Sequence, residues 1–208
     1  MSLIKKSNMN LIAHRRNTID KLLSTDLKYG VEVDIRSFQD RLIIHHDPYV
    51  DGEDFKSWLE NYQHKTLILN IKEEGLEEEL IKIMLEHGIE DYFFLDQSFP
   101  FLVKWSNNGE KRCAVRVSEY ESINTALSLA GKVSWIWLDC FSKFPLDSSE
   151  VNELKRAGFS ICLVSPELQG RDPEKEIPLY ADIILKDKLG IDAICTKQMM
   201  TWEKELSL

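Results

Sequence analysis

Short apolar runs alternate with longer amphipathic stretches along the whole chain. Eight runs read as strands, at residues 10–14, 31–36, 66–71, 92–96, 112–117, 134–139, 159–164 and 192–196. A ninth, 42–45, follows the second so closely that it reads as a hairpin-like return. Between the strands lie segments of helical periodicity, at 76–87, 118–130 and 148–157. In the last of these, Val151, Leu154 and Ala157 recur at the three-residue spacing of one helix face. Asp147 or Ser148 stands where an N-cap is needed, and Gly158 where the helix must stop. The run 161–164 is apolar on both faces, as a strand inside a parallel sheet must be. Strands alternating with helices imply βαβ units with right-handed crossovers, so the fold class is α/β. Eight such units predict a (β/α)8 TIM barrel, with an open doubly wound sheet as the alternative. Such a barrel typically takes about 250 residues. At 208 residues the chain is expected to be a compact version with short loops, a single domain spanning 1–208.

Polar residues gather where those strands end: His14-Arg15, Glu32, Asp34 and Arg36, His46-Asp47, Asn70 and Lys72, Asp96, Arg116 and Ser118, Asp139, Ser165 and Glu167, Thr196-Lys197. In a barrel these ends converge on one mouth. Burying so many ionisable groups is costly unless they pair, bind metal or bind a ligand. Glu32 and Asp34 are two apart in one strand, so both carboxylates share a face opposite Val31, Val33 and Ile35. Adjacent carboxylates repel unless a cation relieves them. A divalent Mg²⁺ or Ca²⁺ suits oxygen donors, while pairing with Arg36, Lys72 or another basic neighbour is the structural alternative. His14 ends the first strand and His46 follows the return strand. Together they offer one general base and one general acid near neutral pH. His45 and His46 point to opposite sides of an extended segment, so only one of them faces the site.

The net charge of −9 excludes a broad nucleic-acid footprint, yet a metal or a few arginines still reverse the sign locally for an anionic substrate. Lys5-Lys6 reads as a solvated tail. Cys113, Cys140, Cys162 and Cys195 are far apart and mostly in apolar runs, as expected of buried thiols in a reducing cytoplasm. No signal peptide is visible, and no apolar stretch reaches the roughly 20 residues of a membrane span. The five tryptophans are expected to be core or helix-packing residues rather than sugar platforms.

The segments IAHRRN (12–17), VEVDIR (31–36), HHDP (45–48) and LNIKEEG (69–75) together resemble the glycerophosphodiester phosphodiesterase family of barrel phosphodiesterases. The terminal GIDAICTK resembles that family's last strand. The resemblance implies that His14 and His46 act as acid and base and that Glu32 and Asp34 ligate a divalent metal. It also implies that Arg15 contacts phosphate, and Lys72 phosphate or the metal-bound carboxylates. Arg116, with Asp96 and Asp139, is expected on the substrate side. The sequence departs from the pattern at Arg16, where the family has glycine, and at Asn17-Thr18, which shortens a Pro-Glu-Asn-Thr segment. Asn70 stands where the family has a third acidic metal ligand. Its amide oxygen still suits Mg²⁺ or Ca²⁺ but brings no charge. The expected function is metal-assisted hydrolysis of a small or sugar-linked phosphodiester. A barrel that binds a phosphorylated ligand without turnover, or one with other chemistry at the cation site, is the alternative.

Overall fold

The computed structural model describes residues 9–208, so Lys5-Lys6 lies outside the described residues. The described chain divides into two compact units, one of residues 12–115 with 131–135, the other of 9–11, 116–130 and 136–208. In chain order the first elements are β1 (Asn10–Ala13), α1 (Ile19–Leu23), β2 (Gly30–Phe38), β3 (Arg41–Ile44), β4 (Glu53–Asp54) and α2 (Phe55–Leu59). β5 (Leu67–Ile71), α3 (Glu77–Glu86), β6 (Tyr92–Leu95), α4 (Phe99–Asn107) and β7 (Ala114–Val117) follow.

β2 organises the first unit. It outlasts the predicted 31–36 because three strands use it. Ile12 and Ala13 of β1 pair in parallel with Gly30 and Val31. β5 runs parallel from Val31↔Leu67 to Ile35↔Ile71. The far end, Ile35 to Phe38, pairs antiparallel with β3, which is the expected return strand. β6 continues the parallel order beyond β5. The short β4, paired antiparallel with β3, has no counterpart in the predicted elements. Val31, Val33, Ile35, Ile43, Leu67, Leu69 and Phe93 are fully buried, and so is Trp58 of α2. Trp58 does more than fill space, because its indole Nε1 donates to the Arg16 carbonyl at 2.9 Å. The stretch that carries His14 to Asn17 is thereby tied to a helix buried through Phe55, Trp58 and Leu59.

The second unit contains α5 (Ile123–Leu127), β8 (Trp135–Leu138), α6 (Ser148–Arg156), β9 (Ser160–Val164), a 3₁₀ turn (Pro166–Gln169), α7 (Pro173–Lys186), β10 (Ala193–Thr196) and α8 (Met199–Leu206). β10 and β9 pair in parallel through Cys195↔Val164, with β8 next in order. The helix α5 is much shorter than the predicted 118–130, because Ser118 to Glu121 form a turn in which Ser118 and Glu121 exchange backbone hydrogen bonds. The other two predicted helices lie where the periodicity placed them.

The expected cap of α6 is present. Asp147 accepts from the Glu150 amide, and the Glu150 carboxylate accepts from the Asp147 amide, each at 2.9 Å. Gly158 follows with φ 93°, the left-handed conformation that stops the helix at little cost only for glycine. Asp147→Ala is expected to lower stability by about 1 kcal/mol, read as a lower urea midpoint with an unchanged slope.

Among the described residues, no helix is long and apolar enough to cross a membrane. Trp58, Trp137 and Trp202 are buried and Trp105 and Trp135 half-buried, in keeping with packing roles.

Candidate active site

In the first unit His14, Arg15, Asn70 and Lys72 gather around Glu32 and Asp34 of β2. Alternation along β2 sets Glu32 and Asp34 on one face, and both are fully buried. The β2–β5 register places Asn70 directly beside Asp34, while the Asn70 amide reaches diagonally to donate to Glu32 Oε1 at 2.9 Å. Glu32 Oε2 accepts from the Arg15 backbone N–H at 2.7 Å, and His14 Nε2 stands 3.7 Å from the same oxygen. The chain thus folds back over Glu32 immediately after β1. That bend sets Arg15 at φ 52°, a left-handed conformation unusual for a side-chain-bearing residue. The strained position is Arg15, not Arg16, where the family pattern has its glycine.

Asp34 is gripped from three sides. Asn17 donates to its Oδ2 at 2.7 Å and accepts from its backbone N–H at 3.2 Å. Arg15 Nε lies 3.4 Å from Oδ2, and Lys72 Nζ lies 3.2 Å from Oδ1. Lys72 also reaches Asp96 Oδ2 at 3.4 Å. Arg36 does not neutralise the pair. Its guanidinium donates to the His46 carbonyl at 3.0 and 3.1 Å and to the Lys72 carbonyl at 3.3 Å, joining the two chain segments that carry those residues.

Burial, reinforced by the Asp34 charge, pushes the Glu32 carboxyl up to about 7, despite the opposing pull of Asn70, the Arg15 amide and Lys72. Glu32 therefore sits near its protonation threshold at neutral pH. Two acceptor atoms, Asp34 Oδ1 and Asn70 Oδ1, are buried without a hydrogen bond, although Lys72 forms an ion pair with the first.

His46 follows β3, held where the His45 amide donates to the Asp34 carbonyl at 3.0 Å. Its Nδ1 lies 2.8 Å from Asp47 Oδ1, which leaves Nε2 as the ring's other functional atom. The His46 hydrogen bond, with further help from nearby positive charge that includes Arg15, holds the Asp47 carboxyl below the ordinary carboxylate range. His45 instead turns its Nδ1 to the Asp47 backbone, 3.0 Å from the amide. Of the adjacent histidines, His46 is therefore the one with a carboxylate partner.

Arg116 belongs to the other unit. There it forms an ion pair with the buried Asp139 and lies 3.9 Å from Glu121. Asp139 also accepts from the Gln169 amide at 2.6 Å and the Cys140 backbone at 3.1 Å. Glu167 accepts from Ser165, from Thr196 Oγ1 at 2.6 Å and from the Lys197 backbone at 2.9 Å, so its carboxylate is committed to joining two strand ends. Two roles escaped the reading of the sequence, Asn17 as the clamp on Asp34 and Asp47 as the partner of His46. Proximity to His14 and to His46 was the available signal.

The fold is that of parallel strands joined by helices with polar strand ends. A solved structure, that of glycerophosphodiester phosphodiesterase from Agrobacterium tumefaciens str. C58, is similar at a TM-score of 0.66, over 96% of this chain and 100% of that one. The two sequences are 13% identical, so the likeness is one of fold. No protein-family model matches the chain, and no curated protein matches it in sequence.

Proposed function

We propose that this protein is a phosphodiesterase that cleaves a small or sugar-linked phosphodiester with His14 and His46 as its acid–base pair. The observation that carries the reading is the buried Glu32–Asp34 pair on one strand face, with His14, Arg15 and Lys72 converging on it. A phosphodiester needs its nonbridging oxygens neutralised, a nucleophilic hydroxyl deprotonated and a leaving alkoxide protonated. In this reading Arg15, 39% exposed at its side chain, and Lys72 hold the phosphate oxygens. One histidine takes the proton of the attacking hydroxyl, and the other returns one to the departing oxygen. Asp47 orients His46 for that exchange. The reading includes closure of the eight parallel strands into a single-domain barrel with Arg116 on its substrate side. The fold likeness over 96% of the chain supports closure. Four buried cysteines, none of them in a disulfide, agree with a cytoplasmic setting.

The phosphodiesterase resemblance implies a divalent metal. Among the described residues, no three acids, histidines or cysteines gather as a metal-holding group. The donor set nevertheless fits a hard cation. Glu32 and Asp34 supply carboxylates, and Asn70 Oδ1 and Asp34 Oδ1 are buried acceptors without a hydrogen bond. Glu32, Asp34 and Asn70 would hold Mg²⁺ or Ca²⁺, which when bound polarises the phosphoryl group and offsets its charge. With one neutral ligand, the affinity is expected to be lower than that of a three-carboxylate site.

A second reading, a barrel that binds a phosphorylated ligand without turnover, is favoured by Asn70 and by Lys72 already standing on Asp34. Titration with Mg²⁺ or Ca²⁺ during an aryl phosphodiester assay separates the two. Hydrolysis that rises with the metal and stops with a chelator is the expected result. Metal and phosphodiester binding with no product, across aryl and glyceryl diesters, replaces the first reading with the second.

A further inference from the structure

We propose that the second unit carries a carbohydrate-binding platform formed by Tyr120 and Phe141. The two rings meet at a centroid distance of 5.7 Å and an interplanar angle of 58°, making a corner rather than a stack. Tyr120 is 80% exposed and Phe141 39%, so neither ring is there to fill the core.

The backbone beneath them is unusually well tied for a surface feature. Glu119 accepts from the amides of Phe141, Ser142 and Lys143 at 3.1, 2.7 and 2.9 Å and from Ser142 Oγ at 2.8 Å. Against the opposing effect of partial burial, the bonds from Ser142 and Lys143, with that of its own amide, hold its carboxyl down at about 2. On the other side Tyr120 N donates to Ser118 Oγ at 3.1 Å, and Ser118 Oγ donates to Glu121 at 2.6 Å. Both loops are therefore preorganised with their aromatic faces in water. Preorganisation lowers the ordering cost of binding and does nothing to relieve the exposed apolar surface.

Size and charge select the ligand. An aromatic side chain buries about 150–250 Å² when fully covered, so two partly exposed rings fall well short of the ~800 Å² per partner of a stable protein interface. The adjoining acids, Glu119 and Glu121, and the net charge of −9 disfavour nucleic acid and anionic lipid. A neutral ring with one apolar face and a rim of hydroxyls suits this corner, with the apolar face on the two rings and the hydroxyls in water. A pyranose has that form. The inference rests on this unit alone and stands whether or not the protein cleaves phosphodiesters.

Saturation-transfer NMR with glucose, galactose and N-acetylglucosamine tests it on the intact protein. At least one sugar is expected to receive saturation at its ring C–H protons. Tyr120→Ala and Phe141→Ala should each weaken that binding by about tenfold. Tyr120→Phe, which keeps the ring, should retain it. Both rings are exposed, so unchanged thermal melts check that the variants fold. No transfer to any of the three sugars overturns the proposal, as does transfer that persists in both alanine variants. Equal binding of p-cresol would mark a general apolar patch, and self-association lost in Tyr120→Ala would mark a contact between copies; either overturns the sugar assignment.

Discussion

His14→Ala is expected to slow cleavage of a phosphodiester by roughly a hundred- to ten-thousandfold, the usual contribution of a positioned acid or base. His46→Ala should cost a comparable factor. The two variants become distinguishable when the leaving group is changed. A nitrophenolate departs without help from an acid, whereas a glyceryl or alkyl oxygen must be protonated as it leaves. The histidine that acts as the acid should therefore lose much more activity on an alkyl diester than on a nitrophenyl one. The base should lose the same factor on both. Asp47→Asn keeps the shape but removes the charge facing His46 Nδ1, and a smaller loss than His46→Ala is expected. Full activity in both alanine variants would end the acid–base assignment, whatever the metal dependence.

The second large effect concerns Glu32, whose carboxyl is raised from 4.5 to about 7 by burial and then by Asp34. For an acid raised on folding, the folded state holds its proton more tightly than the unfolded one. Its contribution is therefore most favourable below about 4.5 and is lost as the pH rises through about 7. Without metal, that loss amounts to ~3 kcal/mol at alkaline pH as an order of magnitude. Other carboxyls slope the opposite way, Glu119 and Asp47 among them, so the difference between proteins is the useful quantity. Glu32→Gln should be relatively more stable than the parent at pH 8 in chelator, with the gap closing toward pH 5. The same variant should lose the stabilisation that Mg²⁺ gives the parent, because a ligand binding only the folded form raises its stability. Parallel urea stability curves for parent and variant across that pH range would refute the account of the carboxylate pair.

The strand pattern was legible because both signals behind it are strong. Apolar runs such as 161–164 and 67–71 are buried on both faces, and the punctuation by Asp147 and Gly158 has a local cause. The Ser118–Glu121 turn was not legible as such. Its residues continue a helical-looking stretch, and only side-chain hydrogen bonding to the backbone reveals the break. Within the site, the period of two placed Glu32 and Asp34 correctly, and the hairpin-like return was readable from its closeness to β2. The compensation of the two carboxylates was harder to read. Lys72 was a candidate neutraliser, but Arg36 was too, and the structure turns Arg36 onto carbonyl oxygens instead. Asn17 belongs to a loop, and its two-point grip on Asp34 exists only once β1 and β2 are side by side.

The β2–β3 hairpin has a consequence for how this fold withstands sequence drift. Because β1, β2, the β3 return and β5 follow one another closely along the chain, the groups around Glu32 and Asp34 come from residues 14–72, a little over a quarter of its 208 residues. In the remaining strands and helices, buried apolar positions accept many exchanges that conserve apolar character and volume. Local writing of the chemistry leaves most positions free to wander while the backbone persists. A likeness that survives in shape at 13% identity, where sequence comparison finds no partner, is the expected signature of that arrangement.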